Sequence, residues 1–275
     1  MKRKQKLTNA LVFTVLLIGA LIMIIPFLWM ISTAFKSVNE LNTWPPSFIP
    51  KHFNFDNFTK VFQAAPFHLY FLNSVKMAVL SSLAIVFTSL ISGYIFAKYR
   101  YFGLAFLFAV ILATAIVPFE IYMIPLYLEM QKLDLLNKFG GLVLPYLVLS
   151  FGIFFIRQNV VQQIPDEVME AARIDGLSDW GIFFKIVIPL MIGPMSALGI
   201  FAFIEAWNAF TWPLLVVGDQ SKFTMELGLA VFQSSFTVDM TMISAASLIS
   251  IIPILAVYLL LRRHIIESIS MTGGK

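Results

Sequence analysis

Residues 10–31 read ALVFTVLLIGALIMIIPFLWMI, an unbroken stretch without a single charged side chain. A helix crossing the roughly 30 Å of bilayer hydrocarbon needs about 20 mostly apolar residues, because lipid offers backbone amides no partner and each must be satisfied within the helix. This run is long enough. Lys2, Arg3, Lys4 and Lys6 before it, and Ser32-Thr33-Ala34 after it, imitate a cleavable signal peptide. The apolar core of such a peptide is only about 7–15 residues, however, so the run reads as a retained span. Working outward, five further stretches qualify: Leu72 to Ala97, Gly103 to Ile124, Gly140 to Phe155, Leu190 to Trp212 and Met242 to Leu261. The expected fold class is therefore all-α, a polytopic membrane protein with six transmembrane helices.

Composition supports this and excludes other classes. The chain is 59% apolar and 12% charged, against about 45–50% and about 25% for soluble domains. It has no cysteine, which removes disulfides, thiolate metal sites and cysteine nucleophiles. His52, His68 and His264 have no spaced companions, so neither a metal site nor a catalytic constellation is expected. The net charge of +4 reports sidedness here, and no nucleic-acid partner is expected. With the N-terminus inside, 12 of the 19 basic residues face the cytoplasm: Lys2, Arg3, Lys4, Lys6, Lys98, Arg100, Arg157, Arg173, Lys185, Arg262, Arg263 and Lys275. Six spans return the chain to that side, so both termini are expected to be cytoplasmic.

Only one inner segment is long. Within it, residues 165–176 read PDEVMEAARIDG. Proline leads in, Asp166 and Glu167 sit at the positive helix start, Arg173 lies near its negative end, and Gly176 can take a left-handed stop. Ser178 can cap a second helix, Asp179 to Ile186, bearing Trp180, Phe183 and Phe184 before Pro189 opens the fifth span. Two short helices joined at a glycine cannot bury a core alone. They either dock on a partner, with Ala171 and Ala172 giving a flat surface and Glu170 and Arg173 positioned to pair, or lie on the membrane as an interfacial pair.

Glu170-Ala171-Ala172, then Gly176, then Ile186-Val-Ile-Pro189 resembles the EAA motif in the membrane subunits of binding-protein-dependent ATP-binding-cassette importers. The likeness extends along the chain, is greatest to carbohydrate importers of the maltose-permease type, and touches their oligosaccharide branch. It is carried by Asn73-Ser74, Tyr94-Ile-Phe-Ala-Lys-Tyr-Arg100, Ile124-Pro-Leu-Tyr127, Phe155-Ile-Arg-Gln158, Ile164-Pro-Asp-Glu167, Ile174-Asp-Gly176, Trp207-Asn-Ala-Phe210, Phe210-Thr-Trp-Pro213, and Thr224 with Gly228. The family pattern usually has leucine at Ile188 and often ends in Lys-Gly, where this chain ends Thr272-Gly-Gly-Lys275.

The resemblance implies a type I importer permease in a bacterial cytoplasmic membrane, with residues 1–275 a single permease domain. Residues 165–189 would be its coupling loop and 213–241 an outer loop. Glu170, Ala171, Ala172, Arg173, Asp175 and Gly176 would couple it to an ATPase. The chain has no Gly-x-x-x-x-Gly-Lys-Ser/Thr phosphate loop. It is therefore not itself an enzyme, and ATP and magnesium would be held by a partner ATPase dimer. Further implied partners are a second homologous permease subunit, an extracellular sugar-binding protein and membrane lipid.

Glu205, Trp207 and Asn208 are the candidate substrate-pathway residues. Glu205 lies about 15 residues, or roughly 22 Å, into the fifth run, where ionisable side chains are expensive. A carboxylate, an amide and an indole suit a sugar; alternatively Glu205 and Asn208 bond a neighbouring helix and hold two membrane subunits together. Glu120 reads as an interfacial carboxylate. In the 213–241 loop, Leu227, Leu229, Val231 and Phe232 either reach toward the sugar-binding protein or pack as a partly re-entrant segment. Pro26, Pro118, Pro194 and Pro253 are expected to kink helices. An ion-coupled secondary transporter, the alternative, would be expected to show inverted repeats, broken helices and several buried carboxylates.

Overall fold

A computed structural model of the chain describes residues 2–235 and 239–272, with side chains described at all of these except 2–4, 7, 234, 235 and 264–272. The placements expected for Lys2, Arg3, Lys4, His264 and the 273–275 tail, and part of the 213–241 loop, therefore lie outside the described residues. The described residues are mostly helical, without strands: α1 (Lys2–Ala34), α2 (Val38–Leu41), α3 (Asp56–Ala64), α4 (Phe67–Lys98), α5 (Leu104–Thr114), α6 (Phe119–Lys132), α7 (Phe139–Val143), α8 (Ser150–Gln163), α9 (Asp166–Ile174), α10 (Asp179–Ile182), α11 (Ile188–Leu190), α12 (Ile192–Trp207), α13 (Thr211–Val216), α14 (Met225–Ser235) and α15 (Met240–Thr272).

Among the described residues, three helices are long enough and apolar enough to cross a membrane, within Thr8–Ala34, Phe67–Lys98 and Met240–Arg263. Pro26 and Pro253 sit inside these helices without breaking them. The other three expected spans are bent pairs: α5 with α6 at 100°, residues 139–146 with α8 at 40°, and residues 179–190 with α12 at 73°. Counting each pair as one span gives up to six.

The single helix expected over Gly103 to Ile124 is thus corrected. Its C-terminal turn tightens through three successive three-residue bonds, Ala115 N–H to Leu112, Ile116 N–H to Ala113 and Val117 N–H to Thr114. Pro118, which has no N–H to continue the ladder, then ends it. The fourth run breaks around Leu147–Leu149 and continues to Gln163, eight residues past its expected end. The fifth ends at Trp207 instead of Trp212, and the chain turns at Asn208 to Phe210 before α13.

The chain forms two compact units, Met1–Phe67 with Leu229–Ile251 and His68–Gly228 with Ile252–Lys275. In the first, α1 is apolar all round and unburied within its most apolar window, as befits a helix whose solvent is lipid. The segment after it is not a slack loop. Asn57, buried, donates to the carbonyls of Ala34 at 2.9 Å and Lys36 at 2.8 Å. Lys36 is itself only 1% exposed, with its ammonium 4.4 Å from the centre of the Trp29 ring and bonded to the Ser47 carbonyl. Burial works against the Glu40 carboxylate, but the Lys51 amide, the Ser47 hydroxyl and the nearby lysines outweigh it and hold its pKa below the usual value.

The second unit has two apolar clusters along α4. At one end Ile85, Leu90 and Tyr94 pack with Ile156 and Val160 of α8, Met169 and Ala172 of α9, and Leu198 of α12. At the other end Met77 packs with Met130, Leu142, Trp212 and Val216. There Asn73 donates to the carbonyls of Ser221 and Phe223 at 3.0 and 3.1 Å, and the Ser74 hydroxyl accepts from the Met225 amide at 2.6 Å. The Asn73-Ser74 pair therefore ties the start of α4 to the segment at residues 221–225.

Small residues let α4 and α8 cross closely: a Cβ at Gly93 would lie 2.8 Å from Ile156 Cγ2 and 2.9 Å from the Arg157 backbone nitrogen. Backbone cannot swing aside as a side chain can, so Gly93→Val is expected to destabilise the unit by about 1–3 kcal/mol or more. The measurement is a lower melting temperature of the purified protein, with less of it recovered from membranes.

Candidate functional site

Two places concentrate unusual residues. The first is the helix pair at residues 165–190. Pro165 flanks α9, whose first turn carries Asp166 and Glu167 and whose last carries Arg173. Gly176 has φ +84°; its N–H reaches the Arg173 carbonyl at 3.0 Å and the Leu177 N–H reaches Ala172 at 3.0 Å. This is the left-handed closure the sequence predicts. The Ser178 hydroxyl accepts from the Gly181 amide at 3.2 Å, capping α10.

Beyond α10 the helix does not stop at Ile186. It passes through a π-helical stretch, Phe183–Val187, into α11. Such a widened turn is a common way for a helix to accommodate a residue like Pro189, which cannot donate to the preceding turn.

The pair has two faces. Met169, Ala172, Ile182 and Phe183 point into the cluster formed with α4, α8 and α12. Glu170, Ala171, Asp175 and Gly176 are exposed, and Ile174 is 86% exposed. The expectation that Ala171 and Ala172 together form the flat docking surface is corrected: one position apart on a helix, they face about 100° apart, and Ala172 is core. Arg173 pairs with Asp179 at 3.1 Å rather than with Glu170, and this bond holds its charged form more firmly than usual. Glu170 has no bond among the described residues. A Cβ on Gly176 would meet nothing within 4 Å, so the outward side of the turn is open. Ile174, three residues after Ala171, lies on the same outward face.

The root of the pair is fastened. Lys98, at the end of α4, donates to Asp166 Oδ1 at 2.6 Å and to the Ile164 carbonyl. That bond and its charge lower the Asp166 pKa. The salt bridge is therefore intact at neutral pH and weakens only as pH falls through the lowered value.

The second place is a cavity of about 560 Å³. It lies where the α5–α6 break, the break before α8 and the end of α12 come together. Its walls include Phe119 and Tyr122 after the first break, Tyr146 before the second, and Glu205, Asn208 and Trp212. Broken backbone at membrane depth is tolerated where it is buried in protein or lines a cavity, and this cavity fits that rule.

Glu205 and Asn208, three residues apart, line it together, but Trp207 does not. It is fully buried, stacked on Phe203 at 5.8 Å and edge-on to Phe71 at 5.9 Å. The aromatic wall comes instead from Tyr122, Tyr146, Phe119 and Trp212, whose indole N–H is held by the Gly141 carbonyl at 2.9 Å. Three of these adjoin prolines, in Pro118-Phe119, Pro145-Tyr146 and Trp212-Pro213, a signal the sequence reading passed over. Glu120 is exposed in the first turn of α6 and is not among the lining residues. Leu227, Leu229 and Phe232 are buried, so these apolar groups do not form an outward-reaching surface.

Comparison with known proteins identifies the family. A family profile described as "Binding-protein-dependent transport system inner membrane component" matches residues 55–267. The chain belongs to this family. Among its relatives, the arabinooligosaccharides transport system permease protein AraQ of Halalkalibacterium halodurans is 35% identical over 100% of both chains. The diacetylchitobiose uptake system permease protein NgcG of Streptomyces coelicolor is 32% identical over 95% of this chain and 87% of its own.

The permease also shares its fold with a chain in the crystal structure of a bacterial ABC transporter involved in the import of the acidic polysaccharide alginate. The TM-score is 0.81 at 22% identity, over 95% of this chain and 97% of that one. It is thus a multi-pass inner-membrane permease and not an enzyme. The broken helices alone would also suit an ion-driven secondary transporter; membership of this family is what separates the two.

Proposed function

We propose that this permease is one of two membrane halves of an ATP-driven importer that carries an oligosaccharide into the cell, with both of its termini and the 165–190 pair cytoplasmic. A separate ATPase dimer binds ATP and magnesium, a second similar permease completes the pathway, and an extracellular binding protein delivers the sugar. The observation that carries this reading is the two-faced helix pair. Its inner face is continuous with the core of α4, α8 and α12, while Glu170, Ala171, Ile174, Asp175 and Gly176 are exposed on the other. A push on that face moves the spans as a lever, and their bends beside the cavity allow opening toward alternate sides.

The relatives' substrates support a sugar, and so does the cavity's chemistry. Tyrosine and indole rings provide flat apolar surfaces, while Glu205 and Asn208 provide hydrogen-bonding groups. On this chain's side the lining has one carboxylate and neither lysine nor arginine, which favours a neutral sugar over a uronate.

The chain has no cysteine, so a single introduced one is a unique reporter. Ile174→Cys is expected to crosslink to a cysteine placed in the ATPase cleft in intact membranes, and to react with an impermeant maleimide only when the cytoplasmic face is open to it. Absence of the crosslink, or labelling from the outer face, would overturn the proposal.

A further inference from the structure

A second cleft, about 720 Å³, lies at the end of α4, the turn leading into α5 and the last turns of α8. Lys98, Arg100 and Arg157 line it against a single carboxylate, Asp166, so three positive charges face one negative. Lys98 is already engaged by Asp166 and the Ile164 carbonyl. Neither arginine has a salt bridge among the described residues. Arg157 is positioned through its Nε–H on the Phe96 carbonyl at 3.1 Å, with its guanidinium 4.5 Å from the centre of the Phe108 ring. Its remaining N–H groups have no hydrogen-bond acceptor among the described residues, and Arg100 is exposed.

Beside these cations the surface is strongly apolar. Phe102 is fully exposed, Tyr101 is 69% exposed and Phe106 71%. Two uncompensated arginines directly beside bare aromatic rings, at the end of a membrane-spanning helix, mark the level where lipid headgroups meet acyl chains.

We propose that this cleft is a binding site for the phosphate of an anionic phospholipid. Arg157 and Arg100 would donate to the phosphate oxygens, and Phe102 and the start of α5 would lie along the acyl chains. An inorganic phosphate would find the same donors but would leave the aromatic rim bare, and that apolar flank favours the lipid as the source. The leaflet, though not the site, rests on the orientation proposed above. Because Lys98 and Asp166 share the cleft, the headgroup would sit against the root of the coupling helix.

The test uses the complete transporter, purified and stripped of lipid, then titrated with phosphatidylglycerol or phosphatidylcholine and weighed intact by native mass spectrometry. Phosphatidylglycerol should be retained preferentially. The preference should fall about fivefold with Arg100→Gln and about 25-fold with Arg100→Gln and Arg157→Gln together, in line with the usual contribution of a basic residue near a charged membrane. Arg100 is exposed and makes no side-chain hydrogen bond or salt bridge among the described residues, so its variant reports binding even if Arg157→Gln impairs folding; Arg157→Lys should restore most of the preference.

Equal retention of both lipids, or a preference indifferent to these substitutions, overturns the proposal. So does arginine-dependent binding of inorganic phosphate to the stripped complex without any preference for phosphatidylglycerol. Retention is read without sugar or ATP, so its failure is distinguishable from a failure of the import reading.

Discussion

Gly176→Pro should cut sugar-stimulated ATP turnover of the assembled transporter at least tenfold while the protein still inserts in the membrane. Proline fixes φ near −65°, whereas residue 176 sits at +84°, and it deletes the N–H that bonds to the Arg173 carbonyl at 3.0 Å. The turn between α9 and α10 cannot form with that residue, which costs several kcal/mol locally. The spans do not depend on that turn for their own hydrogen bonds, so insertion should survive.

Two milder variants separate the turn from the surface it presents. Gly176→Ala keeps the N–H and bears only the left-handed penalty, about 1 kcal/mol or slightly more, so turnover should fall partially. Asparagine tolerates the left-handed region better than alanine but is larger. In this chain a Cβ at 176 meets nothing, so Gly176→Asn doing worse than Gly176→Ala would favour an obstruction from a partner seated on the turn. Turnover unchanged in Gly176→Pro would remove the pair from the coupling path.

The contrast between what was and was not readable in the sequence follows from the range of the interactions. The helix pair at residues 165–190 was legible because its ends are set locally, by Pro165, the acids behind it, the left-handed Gly176 and the Ser178 hydroxyl, all within a turn or two of what they cap. Its faces were partly legible. Helix arithmetic places Ala171 and Ala172 on different sides, and it likewise places Trp207, two residues after Glu205, away from the face Glu205 shares with Asn208. Grouping all three by proximity in sequence ignored that phase.

The breaks were less accessible. In an apolar run every position reads as lipid-compatible, so hydropathy is continuous across Leu112 to Pro118 even though the helix turns by 100° there. Only Pro118 hinted at it, and Pro26 and Pro253, equally conspicuous, interrupt nothing. Whether a proline kinks, ends or merely rides in a helix depends on which neighbours satisfy the freed carbonyl, and that is decided by tertiary packing. The folded segment around Lys36 was invisible for the same reason: a lysine in an outer loop reads as solvated, and its burial depends on Trp29 and Ser47 closing over it.

Glu205→Ala should reduce initial sugar uptake by reconstituted vesicles about tenfold or more, measured at saturating binding protein so that capture outside is not limiting. A hydrogen bond from a sugar hydroxyl to a carboxylate is worth about 1.5–3 kcal/mol, and each 1.4 kcal/mol is a factor of ten. Asn208→Ala, which loses a neutral partner worth about 0.5–1.5 kcal/mol, should cost a few-fold to about tenfold. Trp207→Phe should lower thermal stability while leaving uptake per folded complex within about twofold, because Trp207 packs on Phe203 and Phe71 and does not line the cavity.

The competing role for Glu205 and Asn208, holding the second membrane subunit, predicts a different pattern. In that case the alanine variants would lose the partner permease on purification, and uptake would fall only in proportion to the complex lost. Sugar contact requires the opposite: an intact complex with impaired uptake and weakened stimulation of ATP turnover by loaded binding protein. Since Glu205 and Asn208 line the cavity beside its tyrosines and Trp212, the intact-complex outcome is the expected one. A normal uptake rate in Glu205→Ala would remove the carboxylate from the pathway.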